Sequence, residues 1–111
     1  MGMKVMAEGR FYCNTKALEP VRRAHHVQLT QKLTQTRKEI VETENGYEFQ
    51  FSSSDVSLHE LADWVASESK CCPFFDFHID IEREGTVLCL RLTGGEGVKV
   101  FVREEFQIPT T

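Results

Sequence analysis

Two stretches of the chain alternate apolar and polar residues with a period of two, the period of a half-buried strand. In the first, Tyr47, Phe49 and Phe51 alternate with Glu48 and Gln50. Upstream lie Lys38 to Thr43 and then Asn45-Gly46, a pair that favours the φ > 0 turn of type I′, so a tight hairpin is expected there. In the second, Phe75, Phe77, Ile79 and Ile81 face Leu88, Leu90 and Leu92 across Glu84-Gly85. A two-residue turn at that point pairs Ile81 with Leu88, Ile79 with Leu90 and Phe77 with Leu92, which gives one wholly apolar side that belongs in the core. Asp76, His78, Asp80 and Cys89 fall on the other side, with Asp80 opposite Cys89 and His78 beside Arg91.

Three other stretches carry the helical period. Pro20 suits a first turn, and Val21, His25, Leu29 and Leu33 or Lys32 recur at helical spacing to about Thr34. This places His25 near the middle of the apolar arc and His26 at its edge. Ser52, Ser53, Ser54 and Asp55 offer caps for a second helix with a stripe of Leu58, Leu61, Ala62 and Val65, which Pro73 closes at about Cys71. After Gly94-Gly95, the residues Val98, Phe101, Val102 and Phe106 predict a third helix, fraying at Pro109. Arg10 to Thr15 reads as a short edge strand behind a tail of residues 1–9. The order αββαββα predicts an α+β fold with two layers: helices on one face of a mainly antiparallel sheet of four to five strands built from two hairpins. The domain is expected over 10–107 with a frayed 108–111, and the strand order stays open.

With 111 residues, 41% of them hydrophobic, the chain can build one core and not two. No run approaches the roughly 20 apolar residues that span a bilayer, and MGMKVMAEGR lacks the apolar stretch of a secretory signal, so the expectation is a cytoplasmic protein without a membrane partner. In that compartment four cysteines read as reduced thiols, with no structural disulfide. Charge is uneven: residues 1–38 hold eight of the thirteen Lys/Arg and two of the seventeen Asp/Glu. Arg22, Arg23, Lys32, Arg37 and Lys38 could meet phosphate, but no aromatic residue interleaves them and no nucleic-acid motif accompanies them, which argues against such a partner. A homo-oligomer is left open.

The chemistry concentrates at the end of the second helix. Glu68 precedes Cys71 by three residues and Cys72 by four, spacings that make helix side chains neighbours, so a carboxylate and two thiols converge as half of a metal site. If helix one packs beside that end, His26 adds an imidazole, and Cys13 could complete a Cys/His ligand set for an ion such as Zn(II). Adjacent cysteines also suit soft ions of low coordination, Hg(II), Cu(I) or As(III). The competing reading is two buried cysteines acting as small hydrophobes, since a helix C-terminus raises a thiol's pKa. Exposed alternation accounts for Asp76, His78 and Asp80, and no GxSxG, P-loop or GxGxxG is present. Nothing in the sequence compels an enzyme.

The segments ESKCCPF at 68–74 and RLTGGEGVKVF at 91–101 resemble a family of small bacterial proteins of uncharacterised function, with a pattern similar to E-x-x-C-C-P-F and L-x-L-T-G-P-E-G-V-K-x-F. A related domain also occurs fused behind MerR-like metal-responsive regulators. Cys13, the Arg23, His26, Leu29 helix and NGYEFQF extend the resemblance over about residues 11–106, whereas Gly95 replaces a usual proline and Glu19 a usual Ser or Thr cap. The resemblance implies the same fold unit and directs attention to Cys13, His26, Glu68, Cys71 and Cys72, without an activity. Three functions follow from the residues: a metal sensor, carrier or sequestering domain; a thiol enzyme in which Cys71 attacks, Cys72 resolves and His26 is base; or a structural or partner-binding domain.

Overall fold

The computed structural model describes residues 14–109. After a 3₁₀ turn at Thr15–Ala17 come helix α1 (Pro20–Thr36), strands β1 (Glu39–Glu42) and β2 (Gly46–Ser52), helix α2 (Leu58–Cys71), strands β3 (Asp76–Glu82) and β4 (Val87–Thr93), and helix α3 (Val98–Glu105). The four strands form one antiparallel sheet in the order β1-β2-β4-β3. The expected α+β order is therefore what the chain adopts, with the two hairpins joined through the central β2–β4 pair. Asn14 and the Thr15–Ala17 turn take no part in a strand, and the rest of the strand expected at Arg10 to Thr15, like the tail of residues 1–9, lies outside the described residues.

The second hairpin has the expected register: Phe77 pairs with Leu92, Ile79 with Leu90, Ile81 with Leu88 and Asp80 with Cys89. Its loop spans four residues, and Arg83, Glu84 and Gly85 all adopt positive φ. Leu88, Leu90 and Leu92 are core, whereas Phe77 and Ile79 are half-buried and Ile81 is 55% exposed. Burial of Ile81 was expected and is not found, because β3 is an edge strand and Ile81 sits next to the turn, where less packs over it. The first hairpin departs in its turn. Glu42 pairs with Tyr47 and Thr43 donates its N–H to Gly46 O, so Glu44-Asn45 form the turn, one residue earlier than expected, and neither Asn45 nor Gly46 has positive φ. Gly46 is required for another reason. A Cβ there would lie 1.8 Å from Leu92 O, so the glycine lets β2 approach β4.

The helices bury different faces from those the spacing suggested. On α1 the buried side is His26, Leu29 and Leu33, with Val21 83% exposed and His25 on the surface. On α2 it is Leu61, Trp64, Ser67, Glu68 and Cys71, while Leu58 and Ala62 face solvent. The α2 cap is Ser57, not the Ser52–Asp55 cluster: Ser57 Oγ accepts from Glu60 N and Glu60 Oε1 accepts from Ser57 N. The cluster instead forms a turn in which Asp55 and Val56 donate to Ser52 O. Pro73 ends α2 at Cys71 as expected. No helix among the described residues is long and apolar enough to cross a membrane.

Candidate functional site

Packing of α1 against α2 brings His26 over the last turn of α2. His26 Nε2 meets Glu68 Oε1 at 2.6 Å, both residues being buried, and the imidazole stacks on Trp64 with ring centroids 5.6 Å apart. The indole is fixed in turn, because Trp64 Nε1 donates to Thr30 Oγ1, which donates to His26 O one turn back along α1. The two atoms share one proton in this bond, which uses the Nε2 edge of the ring. His26 Nδ1 is then left buried with no hydrogen-bond partner.

The other Glu68 oxygen, Oε2, lies 3.4 Å from Cys72 Sγ. Cys72 is disulfide-bonded, whereas Cys71 and Cys89 are free thiols. A disulfide sulfur has no proton to donate, so this approach is a contact in the oxidised state and becomes a thiol–carboxylate hydrogen bond on reduction. The expectation of uniformly reduced cysteines is thus corrected. It was drawn from the compartment, which governs the redox state that persists, whereas the fold decides which sulfurs meet. Cys71 and Cys72 are both buried, at 1% and 0% exposure. Burial, and secondarily the Glu68 carboxylate, push the Cys71 thiol above its ordinary pKa, with Arg23 opposing them.

His26, Glu68, Cys71 and Glu105 line one cleft of about 230 Å³ between α1, α2 and the end of α3, together with Val27, Thr30, Gln31 and Phe106. Glu105 was not singled out in the sequence, where nothing marks it among the acidic residues around it. Its carboxyl, crowded by neighbouring atoms although the residue reaches solvent, is held above the usual range by burial and then by Glu68. Among the described residues no Lys or Arg lines the cleft. Of the five residues marked in the sequence, the structure thus gathers His26, Glu68, Cys71 and Cys72, while Cys13 lies outside the described residues. Among the described residues no group of three or more His, Cys, Asp or Glu is arranged to hold an ion in this structure.

Elsewhere the marked residues serve the sheet. Cys89 is fully buried yet outside the main core, on the outer sheet face, where burial and the carboxylates of Glu48, Glu82 and Asp80 push its thiol up to about 11. Arg91 sits between Glu48 and Asp80 at 3.6 and 3.2 Å. Asp76, His78 and Asp80 alternate along β3 on that same outer side.

No family model, curated protein or solved structure matches this chain.

Proposed function

We propose that the domain binds a soft metal ion through the thiolates of Cys71 and Cys72 when both are reduced. The observation that carries this reading is the electrostatic setting of Cys71: a buried thiol beside the Glu68 carboxylate, in a cleft with a second carboxylate and, among the described residues, no Lys or Arg in its lining, where the opposing influence of Arg23 is outweighed. A nucleophilic cysteine needs the opposite surroundings, a cation or a helix N-terminus that lowers its pKa. Here the thiol is raised, so the reading as a thiol enzyme has less support. A bound cation reverses the situation by supplying its own positive charge, which deprotonates a coordinating thiol. Two thiolates suffice for a soft ion of low coordination such as Hg(II) or Cu(I).

A purely structural role for the cysteines fits the surroundings less well. Burying His26 and Glu68 costs desolvation that a pair of apolar side chains of similar volume would avoid. The test compares the reduced chain with a Cys71→Ser, Cys72→Ser double variant by native mass spectrometry and thermal melts with Zn(II), Cu(I) and Hg(II). One equivalent bound by the parent with a raised Tm, both lost in the double variant, is the expected result. Equal binding by the two proteins, or binding by neither, overturns the proposal.

A further inference from the structure

Strand β3 ends the sheet, with β4 on one side of it and no strand on the other among the described residues. Such an edge presents backbone N–H and C=O groups that can pair with another chain, and folded proteins ordinarily blunt it with proline, lysine, a bulge, an inward-pointing charge or a very short strand. β3 has none of these. Its seven residues, DFHIDIE, contain no Pro or Lys, and its register against β4 runs without interruption from Asp76 to Glu82. Its core-side residues are Phe77, Ile79 and Ile81, all apolar and all poorly covered, the first two half-buried and Ile81 55% exposed. The opposite edge differs, since β1 has only four residues and two of them are Glu39 and Glu42.

We infer that β3 pairs antiparallel with β3 of a second copy of this chain, about a two-fold axis at Ile79, joining the two sheets into one. The sequence of the strand selects this register. Centring on Ile79 uses all seven residues and sets Phe77 against Ile81, His78 against Asp80 and Ile79 against its own copy, with Asp76 and Glu82 meeting at the exposed ends. A slip by one residue would set core-side against outer residues, Phe77 against Asp80, because side chains alternate in direction. A slip by two would either set Asp76 against Asp80 or oppose Asp80 with its own copy, and like charges directly opposite destabilise a sheet. In the Ile79 register the exposed Ile81 is covered by an aromatic ring, and the Asp80 carboxylate, already held by Arg91 at 3.2 Å, gains an imidazole N–H donor. This inference is independent of the ion-binding reading, since β3 carries none of the residues of that site.

The experiment is sedimentation velocity of the full chain, with intermolecular disulfides excluded by denaturing mass spectrometry. Protein concentration runs from about 1 μM to about 1 mM, the range of dissociation constants that suits a small interface. The parent should pass from monomer to dimer across it. Ile81→Lys sets an ammonium against Phe77 and should raise the dissociation constant at least about tenfold, whereas Val41→Lys, on the exposed β1 edge, should leave it unchanged. A charge swap tests the register. His78→Asp opposes two carboxylates and should weaken the dimer, and adding Asp80→His restores the opposition with the roles exchanged and should recover it, while Arg91, across from position 78 in β4, still meets a carboxylate. A parent that stays monomeric throughout, which leaves the edge to a foreign strand or to solvent, overturns the inference. So does a dimer indifferent to Ile81→Lys, and a dimer that the swap does not recover overturns the Ile79 register. If Ile81→Lys does not fold, amide hydrogen exchange of the parent decides: the β3 peptide should be better protected at the high concentration than at the low one, and equal protection overturns the inference.

Discussion

Glu68 holds His26 on one carboxylate oxygen and approaches Cys72 with the other, so a single side chain links α1 to the cysteine end of α2. His26→Leu or Glu68→Leu alone leaves the other member buried and unmatched, and each should lower the unfolding free energy by roughly 3 kcal/mol or more. The double change to Leu removes both polar groups together and should cost less than either single change. Urea unfolding of the three reduced variants checks this, and a double variant as unstable as the sum of the singles would show that the two residues do not act as a pair. At this scale the sequence told which residues matter better than how they are placed. Helical spacing alone ranked His25 nearer the apolar arc than His26. Adjacent helix positions differ by about 100° in direction, and only the position of the partner helix decides which of two neighbouring histidines it covers. The spacing of Glu68, Cys71 and Cys72 needed no such partner, since all three sit on one helix end, and it was legible for that reason.

The β1–β2 hairpin shows how a correct element can be inferred with the wrong turn. Asn45-Gly46 suggests a type I′ turn, but Gly46 stands at the first position of β2, where its missing side chain admits Leu92 O of β4. Gly46→Ala should therefore destabilise by about 3 kcal/mol, because backbone must separate from backbone to make room. Gly95 has ordinary φ and open space where a Cβ would go, so Gly95→Ala should stabilise by about 0.5 kcal/mol by restricting the unfolded chain. Thermal melts of the two variants should move in opposite directions, and equal shifts would remove the close approach as the reason for Gly46. Strand pairing within the second hairpin was readable because the apolar alternation fixes register. The β2–β4 pairing that joins the hairpins was not, since it is made between residues some 40 positions apart and no local pattern encodes it. The Ser57 cap was available in the sequence as Ser-x-x-Glu, and the more conspicuous serine cluster upstream obscured it.

Over the whole molecule, the uneven charge of the chain is largely consumed within the fold. Arg22 and His25 of α1 both bind Asp63 of α2, Lys32 binds Glu60, and Lys38 approaches Asp55 at 3.4 Å. Arg37 instead donates to Phe106 O and Gln107 O, tying the end of α1 to the turn after α3. The basic stretch that might have met phosphate is thus directed toward the acidic remainder, and the α1–α2 seam that carries it is the one that sets His26 over Cys71. The hydrogen bond from His25, followed by the Arg22 interactions, holds the Asp63 carboxyl below its ordinary pKa against the opposing effect of burial. A group depressed in the folded state adds stability above its unfolded pKa of about 4 and loses it as pH falls through the folded value. Asp63 is a third exposed and solvent screens it, so the contribution should stay below about 1 kcal/mol. Asp63→Asn should accordingly be less stable than the parent by that small amount at pH 6 to 7. The gap should close on acidification below about pH 3 and shrink in 1 M salt, where the Debye length is about 3 Å. Urea unfolding of the two proteins across that pH range measures the gap directly. A difference that persists undiminished at low pH would mean that Asp63 supports the seam through packing and not through its charge.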